Sequence, residues 1–229
     1  MRTRLATVLV FALCLLVSSF AAADPALYSN GPVSGEVDGW TLFDEYQVTD
    51  SFILSNPSTV TGVTFYSWSV PGYTPPDTPL TIDWEITTSP LGGTVEASGT
   101  GAVLTNVFLF TGRYGYSINS DSFSIPSVPL AAGTYWLELQ NPTTVVTGDL
   151  YWDENDGSSQ AYQSPEGALT LANASESGCS TPGPTGYCSE SFEIDGLSSS
   201  SPVPEPSSLL LLGTGLAGLV GAVRRRVRL

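Results

Sequence analysis

The sequence contains no histidine and no lysine, and its seven basic residues are all arginine. Six of these arginines lie at the two ends of the chain. Residues 24–201, called the body below, therefore hold Arg113 as their single base. The chain itself cannot supply a histidine base, a histidine metal ligand or a lysine nucleophile. A Ser-His-Asp triad is excluded for the same reason.

The body holds 21 of the 22 acidic residues, which with its one base gives it a formal charge of −20. Such a surface repels phosphate backbones and anionic lipid headgroups, so we predict no nucleic-acid partner. Glycoside hydrolysis by two carboxylates is the reaction class that this set of side chains allows most readily. Because no glycosidase motif is recognisable, we expect a protein that is not an enzyme.

The N-terminus has the organisation of a secretory signal peptide. Met1–Arg4 is positively charged, Leu5–Val17 is apolar, and the small residues of Ser18–Ala23 fit an A-x-A cleavage pattern. We predict a signal peptide over residues 1–23, with cleavage between Ala23 and Asp24. An uncleaved anchor helix is the alternative, but the apolar run is short against the roughly 20 residues of a membrane span.

Cleavage would leave two cysteines, Cys179 and Cys188, in a stretch rich in glycine and proline. In an oxidising compartment, an even pair this close in sequence is most simply a disulfide. A metal site is the competing interpretation, but the chain has no histidine to complete it.

Three further features follow in order at the C-terminus. A small polar linker at 198–203 leads to Pro204-Glu205-Pro206, then to an apolar segment at 209–223, and finally to a tail at 224–229 that begins Arg224-Arg225-Arg226. As a helix the apolar segment would span about 22 Å against a bilayer core of about 30 Å. We therefore expect it to hold the chain in the inner membrane at least transiently, with the arginines in the cytoplasm.

This layout resembles the PEP-CTERM sorting signal of Gram-negative bacteria that make exopolysaccharide. The resemblance implies that an exosortase, a membrane cysteine transpeptidase, recognises and processes residues 204–229. A GPI signal shares the spacer and the apolar tail but would not end in arginine. A plain tail anchor needs no Pro-Glu-Pro.

The body is predicted to be all-β. Short runs of β-branched and aromatic residues alternate with turn residues, and no stretch has the pattern of an amphipathic helix. In Leu80–Thr88, for example, Leu80, Ile82, Trp84 and Ile86 form an apolar face opposite polar residues. We expect one antiparallel, jelly-roll-like β-sandwich over residues 24–197, with an irregular segment at 24–45. Other predicted strands are Tyr46–Leu54, Thr59–Trp68, Ala102–Phe110, Tyr114–Ile118, Gly133–Gln140, Asp149–Asp153 and Ser189–Ile194.

Two tryptophans are candidates for stacking against sugar rings. Trp136 is predicted to share a strand face with Glu138 and Gln140, and Trp152 to share one with Glu154. Carboxylates and amides beside an aromatic ring are the groups that hold a sugar. For each tryptophan taken singly, a core position is the favoured interpretation.

Asp153, Asn155 and Asp156 form an acidic stretch that ends at Gly157. An acidic turn is the favoured interpretation, since Asn and Asp before Gly promote turns. The alternative is a weak calcium site, because Ca²⁺ binds carboxylate and amide oxygens. No other cofactor is expected.

Together these features predict an exported, sorted protein of the cell envelope, outer surface or extracellular matrix. Its expected role is structural or adhesive, with exopolysaccharide as a possible partner. The alternative is a carbohydrate-binding module, and a two-carboxylate glycoside hydrolase is less favoured.

Overall fold

The computed structural model describes residues 26–36, 38–164, 175–176 and 189–199. These residues form fourteen strands and one turn of 3-10 helix at Arg113–Gly115. The strands are β1 Ala26–Ser29, β2 Gly39–Thr41, β3 Gln47–Leu54, β4 Ser58–Ser69, β5 Pro79–Ser89, β6 Gly92–Val103, β7 Thr105–Thr111, β8 Ser117–Leu130, β9 Gly133–Thr144, β10 Leu150–Asn155, β11 Tyr162–Ser164, β12 Ser175–Glu176, β13 Ser189–Glu190 and β14 Phe192–Ser198. The all-β prediction is confirmed.

The strands form two antiparallel sheets. The larger sheet has eight strands, of which five lie side by side in the order β1-β14-β4-β8-β7. Strand β10 pairs with the C-terminal end of β4, and β2 and β13 in turn pair with β10. The smaller sheet has the order β12-β11-β3-β9-β5-β6. Leu104 separates β6 from β7, so the chain crosses between the sheets there and leaves both strands at a sheet edge.

Period-two alternation places one face of each sheet in a single shared core. Ile82, Trp84 and Ile86 of the smaller sheet are buried together with Phe65 and Trp152 of the larger one. The predicted apolar face of β5 is therefore confirmed for these three residues. Leu80 is 44% exposed, because it lies near the start of β5 at the margin of the core.

Several boundaries differ from the prediction. Ala102–Phe110 is two strands of different sheets, because Leu104 turns the chain at the corner of the sandwich. Tyr114–Ile118 begins with the 3-10 turn, in which Tyr114 has a φ of 59°. The segment expected to be irregular contains β1 and β2, which are too short to give a periodic pattern in the sequence.

Most of the predicted export features lie outside the described residues. These are the signal peptide with its Ala23–Asp24 junction, the pair Cys179 and Cys188, and the C-terminal sorting signal with its apolar segment. Within the part of the chain that the structure describes, no helix has the length and apolarity of a membrane span.

Candidate functional site

Trp152 has the core position that was the favoured interpretation, and its candidate stacking role is contradicted, because this side chain is fully buried between the sheets. Its ring centroid lies 6.1 Å from that of Phe65 and 5.6 Å from that of Phe192, and its indole nitrogen donates to the carbonyl of Ser191 at 3.0 Å. Strand β10 points Trp152 into the core and Tyr151 away from it. The ring therefore has no face for a sugar.

Trp136 lies on the outer face of the smaller sheet and is half-buried, as the alternation of β9 predicts. Its neighbours across the sheet are Ser51 of β3 and Thr87 of β5. Tyr135 and Leu137 point the opposite way into the core. The stacking role of Trp136 stays a prediction.

Glu138 shares the face of Trp136 but is itself buried. Its carboxylate accepts hydrogen bonds from Gln47 Nε2 and from Thr87 Oγ1. Burial, helped by the charge of Glu85, raises the pKa of Glu138 to about 7, while the hydrogen bond from Thr87 and the backbone at Leu91 and Gly92 oppose the shift. The carboxylate of Glu138 is thus used by hydrogen bonds within the sheet and is not exposed to a sugar beside Trp136.

The three predicted calcium ligands do not converge on one point. Asp153 is buried, and its two carboxylate oxygens accept four hydrogen bonds, from the amides of Ser34 and Gly35, the indole of Trp68 and the hydroxyl of Ser191. Burial raises the pKa of Asp153, and these donors oppose the shift. Asp153 therefore fixes the segment before β2 against the outer face of the larger sheet.

Asn155 and Asp156 have different surroundings from Asp153. The side-chain amide of Asn155 donates to the carbonyls of Asn30 and Pro32 and accepts from the amide of Gly157, whereas Asp156 is exposed. The contact from Asn155 to Gly157 is that of an Asx turn, which matches the acidic-turn interpretation. In the described residues, no group of three or more acidic or cysteine side chains is arranged to hold a metal ion.

An open trough of about 580 Å³ lies on the outer face of the larger sheet. Thr64, Ser122 and Thr105 line it as register partners on the neighbouring strands β4, β8 and β7. On β14, Asp195 lies opposite Gly62, which also lines the trough. Asp195 and Ser124 line the same trough. It therefore presents hydroxyl groups beside a carboxylate, called the hydroxyl trough below.

The charges beside the hydroxyl trough are negative. Thr64 Oγ1 donates to Asp195 at 3.5 Å, and Tyr66 lies one outward position further along β4, opposite Ser120. Burial and the charges of Glu193 and Asp195 raise the pKa of Tyr66. These groups can exchange hydrogen bonds with a polyhydroxylated ligand, since hydroxyls donate and accept while carboxylates accept.

A second polar group lies between the sheets at one end of the core. Asp50 points inward from β3 and accepts hydrogen bonds from Asn30 Nδ2 at 3.0 Å, from Ser159 Oγ at 2.8 Å and from the amide of Glu190 at 2.7 Å. Burial raises the pKa of Asp50 to about 7, and the hydrogen bonds from the amide of Glu190 and from Ser159 oppose the shift. These hydrogen bonds connect β3 with β13 and with the residue that follows β1 at this end of the core, called the polar end of the core below.

Glu154 and Glu190 are register partners on β10 and β13, and both are fully buried. Burial, then the charges of Asp38 and Asp153, raises the pKa of Glu154 to about 8. Burial and the charge of Glu154 raise the pKa of Glu190 well above its ordinary range. Among the described residues, neither carboxylate oxygen of Glu190 has a hydrogen-bond partner. Two such carboxyls could exchange a proton, but burial keeps both from a large substrate.

Sequence reasoning missed the hydroxyl trough and the buried carboxyls. One available signal was the period-two serine pattern of β8, where Ser120, Ser122 and Ser124 alternate with Asp121, Phe123 and Ile125. No comparable signal marked Asp50 or Glu190, since burial of a carboxyl depends on contacts between distant strands.

A comparison with curated proteins gives no match. Residues 202–226 match the model of the PEP-CTERM protein-sorting motif. This match confirms the resemblance predicted from Pro204-Glu205-Pro206 and the arginines that follow the apolar segment. The chain therefore carries a PEP-CTERM sorting motif, which indicates an exported protein that an exosortase sorts to the cell surface.

Proposed function

We propose that this chain is a non-enzymatic adhesive protein of the cell surface or extracellular matrix, and that it contacts exopolysaccharide through the hydroxyl trough. The observation that carries the proposal is the trough itself, an open surface of hydroxyls and a carboxylate on an exported β-sandwich. Sugar hydroxyls are complementary to both kinds of group. The proposal combines the predicted adhesive role with the alternative of carbohydrate binding. It places the binding at the hydroxyl trough rather than at Trp136 or Trp152.

Retention on polysaccharide tests the trough. The processed protein, purified from its own cells, is run by affinity electrophoresis through gels containing the cells' exopolysaccharide or a neutral glucan. We expect Ser122→Trp, which fills the trough, to weaken retention at least tenfold. Thr134→Trp adds the same ring at an exposed position of the other sheet and should leave retention unchanged. Absence of retention on every glycan, or equal effects of both variants, would contradict the proposal.

The carboxylate of the trough has its own test. Asp195→Asn removes one charge while keeping the side-chain shape, and we expect weaker retention on a neutral glucan because a charged acceptor forms the stronger hydrogen bond. Glu96→Gln is the matched control, since Glu96 is an exposed carboxylate on β6.

An anionic polysaccharide would meet a body of charge −20, so divalent cations would have to bridge the two. Retention on an anionic polysaccharide should then disappear in EDTA and return with added Ca²⁺. Retention that is indifferent to EDTA would exclude cation bridging while leaving the contact with neutral glycans intact.

Processing is tested by the intact mass of the protein from envelope and medium fractions. We expect a species that begins near Asp24 and ends near Pro206, two hydrogen masses lighter because of a Cys179–Cys188 disulfide. Additional mass at the new C-terminus would identify the attached group. A species that retains residues 209–229 would instead identify a tail-anchored envelope protein.

A further inference from the structure

Strand β7 is an open edge of the larger sheet. It pairs on one side with β8, and the described residues supply no strand on its other side. An open edge exposes a row of backbone donors and acceptors that another strand can pair with. Proteins commonly protect such edges with charged side chains or proline, and Thr105–Thr111 contains neither.

The exposed apolar surface of the described residues is concentrated at this edge. Six of its thirteen exposed large apolar side chains lie between Val103 and Tyr114. Val107 is 54% exposed and Phe108 57% exposed, and Leu109 and Phe110 follow directly. An exposed apolar cluster on a surface this polar is typical of an interaction site.

The chemistry of the edge favours a second copy of the same chain. Val107 and Phe108 are neighbouring exposed apolar residues of β7, so two antiparallel copies with Val107 opposite Phe108 would place apolar side chains against apolar ones. The edge also carries no negative charge of its own, because β7 is uncharged, and Arg113 follows it two residues later. Two bodies of charge −20 repel each other elsewhere.

A β-bulge limits the length of the pairing segment. The β7–β8 register shifts between Phe108 and Phe110, so the regular part of the edge is Thr105–Phe108. Bulges increase strand twist and discourage further pairing. Four paired residues make a short ladder, from which we expect a weak, concentration-dependent association.

We propose that β7 is a self-association edge, through which two copies pair antiparallel and join their larger sheets. This inference goes beyond the proposed function and does not depend on the hydroxyl trough. Because like-charged bodies must approach each other, added salt should strengthen the association rather than weaken it.

Sedimentation velocity of the processed protein, from about 10 μM to 1 mM and in low and high NaCl, tests the proposal. We expect a monomer–dimer equilibrium whose dimer fraction rises with NaCl, and Phe108→Glu should weaken it at least tenfold. Ile53→Glu is the matched control, because Ile53 is 58% exposed on the other sheet and gains the same charge. Near-ultraviolet circular dichroism checks that both variants are folded. A monomer under every condition, or equal loss in both variants, would overturn the proposal.

Discussion

Glu190 lies directly opposite Glu154 in the β10–β13 ladder, and both carboxyl groups are buried at the polar end of the core. Arg113, the single base among the described residues, lies instead beside Tyr114, with its guanidinium 4.8 Å from that ring centroid. Two carboxylates this close disfavour simultaneous ionisation. The number of protons that these two carboxyl groups hold therefore depends on pH, and so does the free energy of unfolding.

We expect the folded protein to be more stable near pH 5 than near pH 8. Burial raises the pKa of Asp121 to about 6, of Asp50 and Glu138 to about 7, and of Glu154 to about 8. In the unfolded chain these groups ionise near pH 4. Between about pH 4 and pH 8 the folded chain thus holds protons that the unfolded chain has released, so stability falls as pH rises.

Urea denaturation at pH 5, 6, 7 and 8 measures this dependence. Each retained proton contributes a slope of up to about 1.4 kcal/mol per pH unit. Glu96→Gln, at an exposed position, should leave the slope unchanged. Asp77 acts in the opposite direction, because hydrogen bonds lower its pKa, and its contribution is lost only in acid. A free energy of unfolding that is constant or rises from pH 5 to pH 8 would contradict the raised pKa values of these buried carboxyls.

Glu190→Gln should stabilise the protein at pH 8 and change it little at pH 5. The substitution removes the cost of burying this carboxyl opposite Glu154. That cost grows as pH rises, because the folded chain must either ionise Glu190 beside Glu154 or hold a proton that the unfolded chain has released. We expect a gain of about 1 kcal/mol or more at pH 8, the value of a one-unit pKa shift. Thermal unfolding at both pH values gives the comparison. Glu193→Gln, three residues along on the outward face, should show no such pH-dependent gain.

Asp153→Ala should destabilise the fold strongly. Four donors would lose their acceptor, two of them backbone amides of the segment before β2. Since unpaired buried donors cost about 1–3 kcal/mol each, a loss of at least about 3 kcal/mol is expected. Asp156→Ala, at an exposed position, should change stability by less than about 0.5 kcal/mol. Unfolding in Ca²⁺ and in EDTA also tests the predicted calcium site, since a bound ion would make both variants lose a calcium-dependent stabilisation.

Alternating patterns made much of the fold predictable. The strands that became β3, β4, β5 and β9 each combine period-two alternation with β-branched or aromatic residues. The first three were predicted to within one residue of their observed bounds, and β9 was predicted from its first residue but extends four residues further, to Thr144. The corner at Leu104 was not predictable, because Ala102–Phe110 continues the same apolar composition while the chain changes sheets. The jelly-roll connectivity stays a prediction.

The candidate sites were harder to predict than the strands. The sequence identified the faces of β9 and β10 but could not separate half-buried Trp136 from fully buried Trp152, since that difference depends on which face meets the other sheet. The hydroxyl trough needs four strands in register, of which β4 and β14 are far apart in the sequence. The sorting motif was predicted in full because its recognition depends on local sequence order.

The two tryptophans should respond differently to alanine substitution. Trp152→Ala would leave a cavity beside Phe65 and Phe192 and should cost about 3–5 kcal/mol in unfolding free energy, measured in urea. Trp136→Ala should cost less, because its ring is half-buried on the outer face. Retention on glycan gels then distinguishes the two candidate sugar-binding surfaces. If the hydroxyl trough binds the glycan, Trp136→Ala keeps full retention while Ser122→Trp loses it. The reverse result would assign binding to the Trp136 face of the smaller sheet.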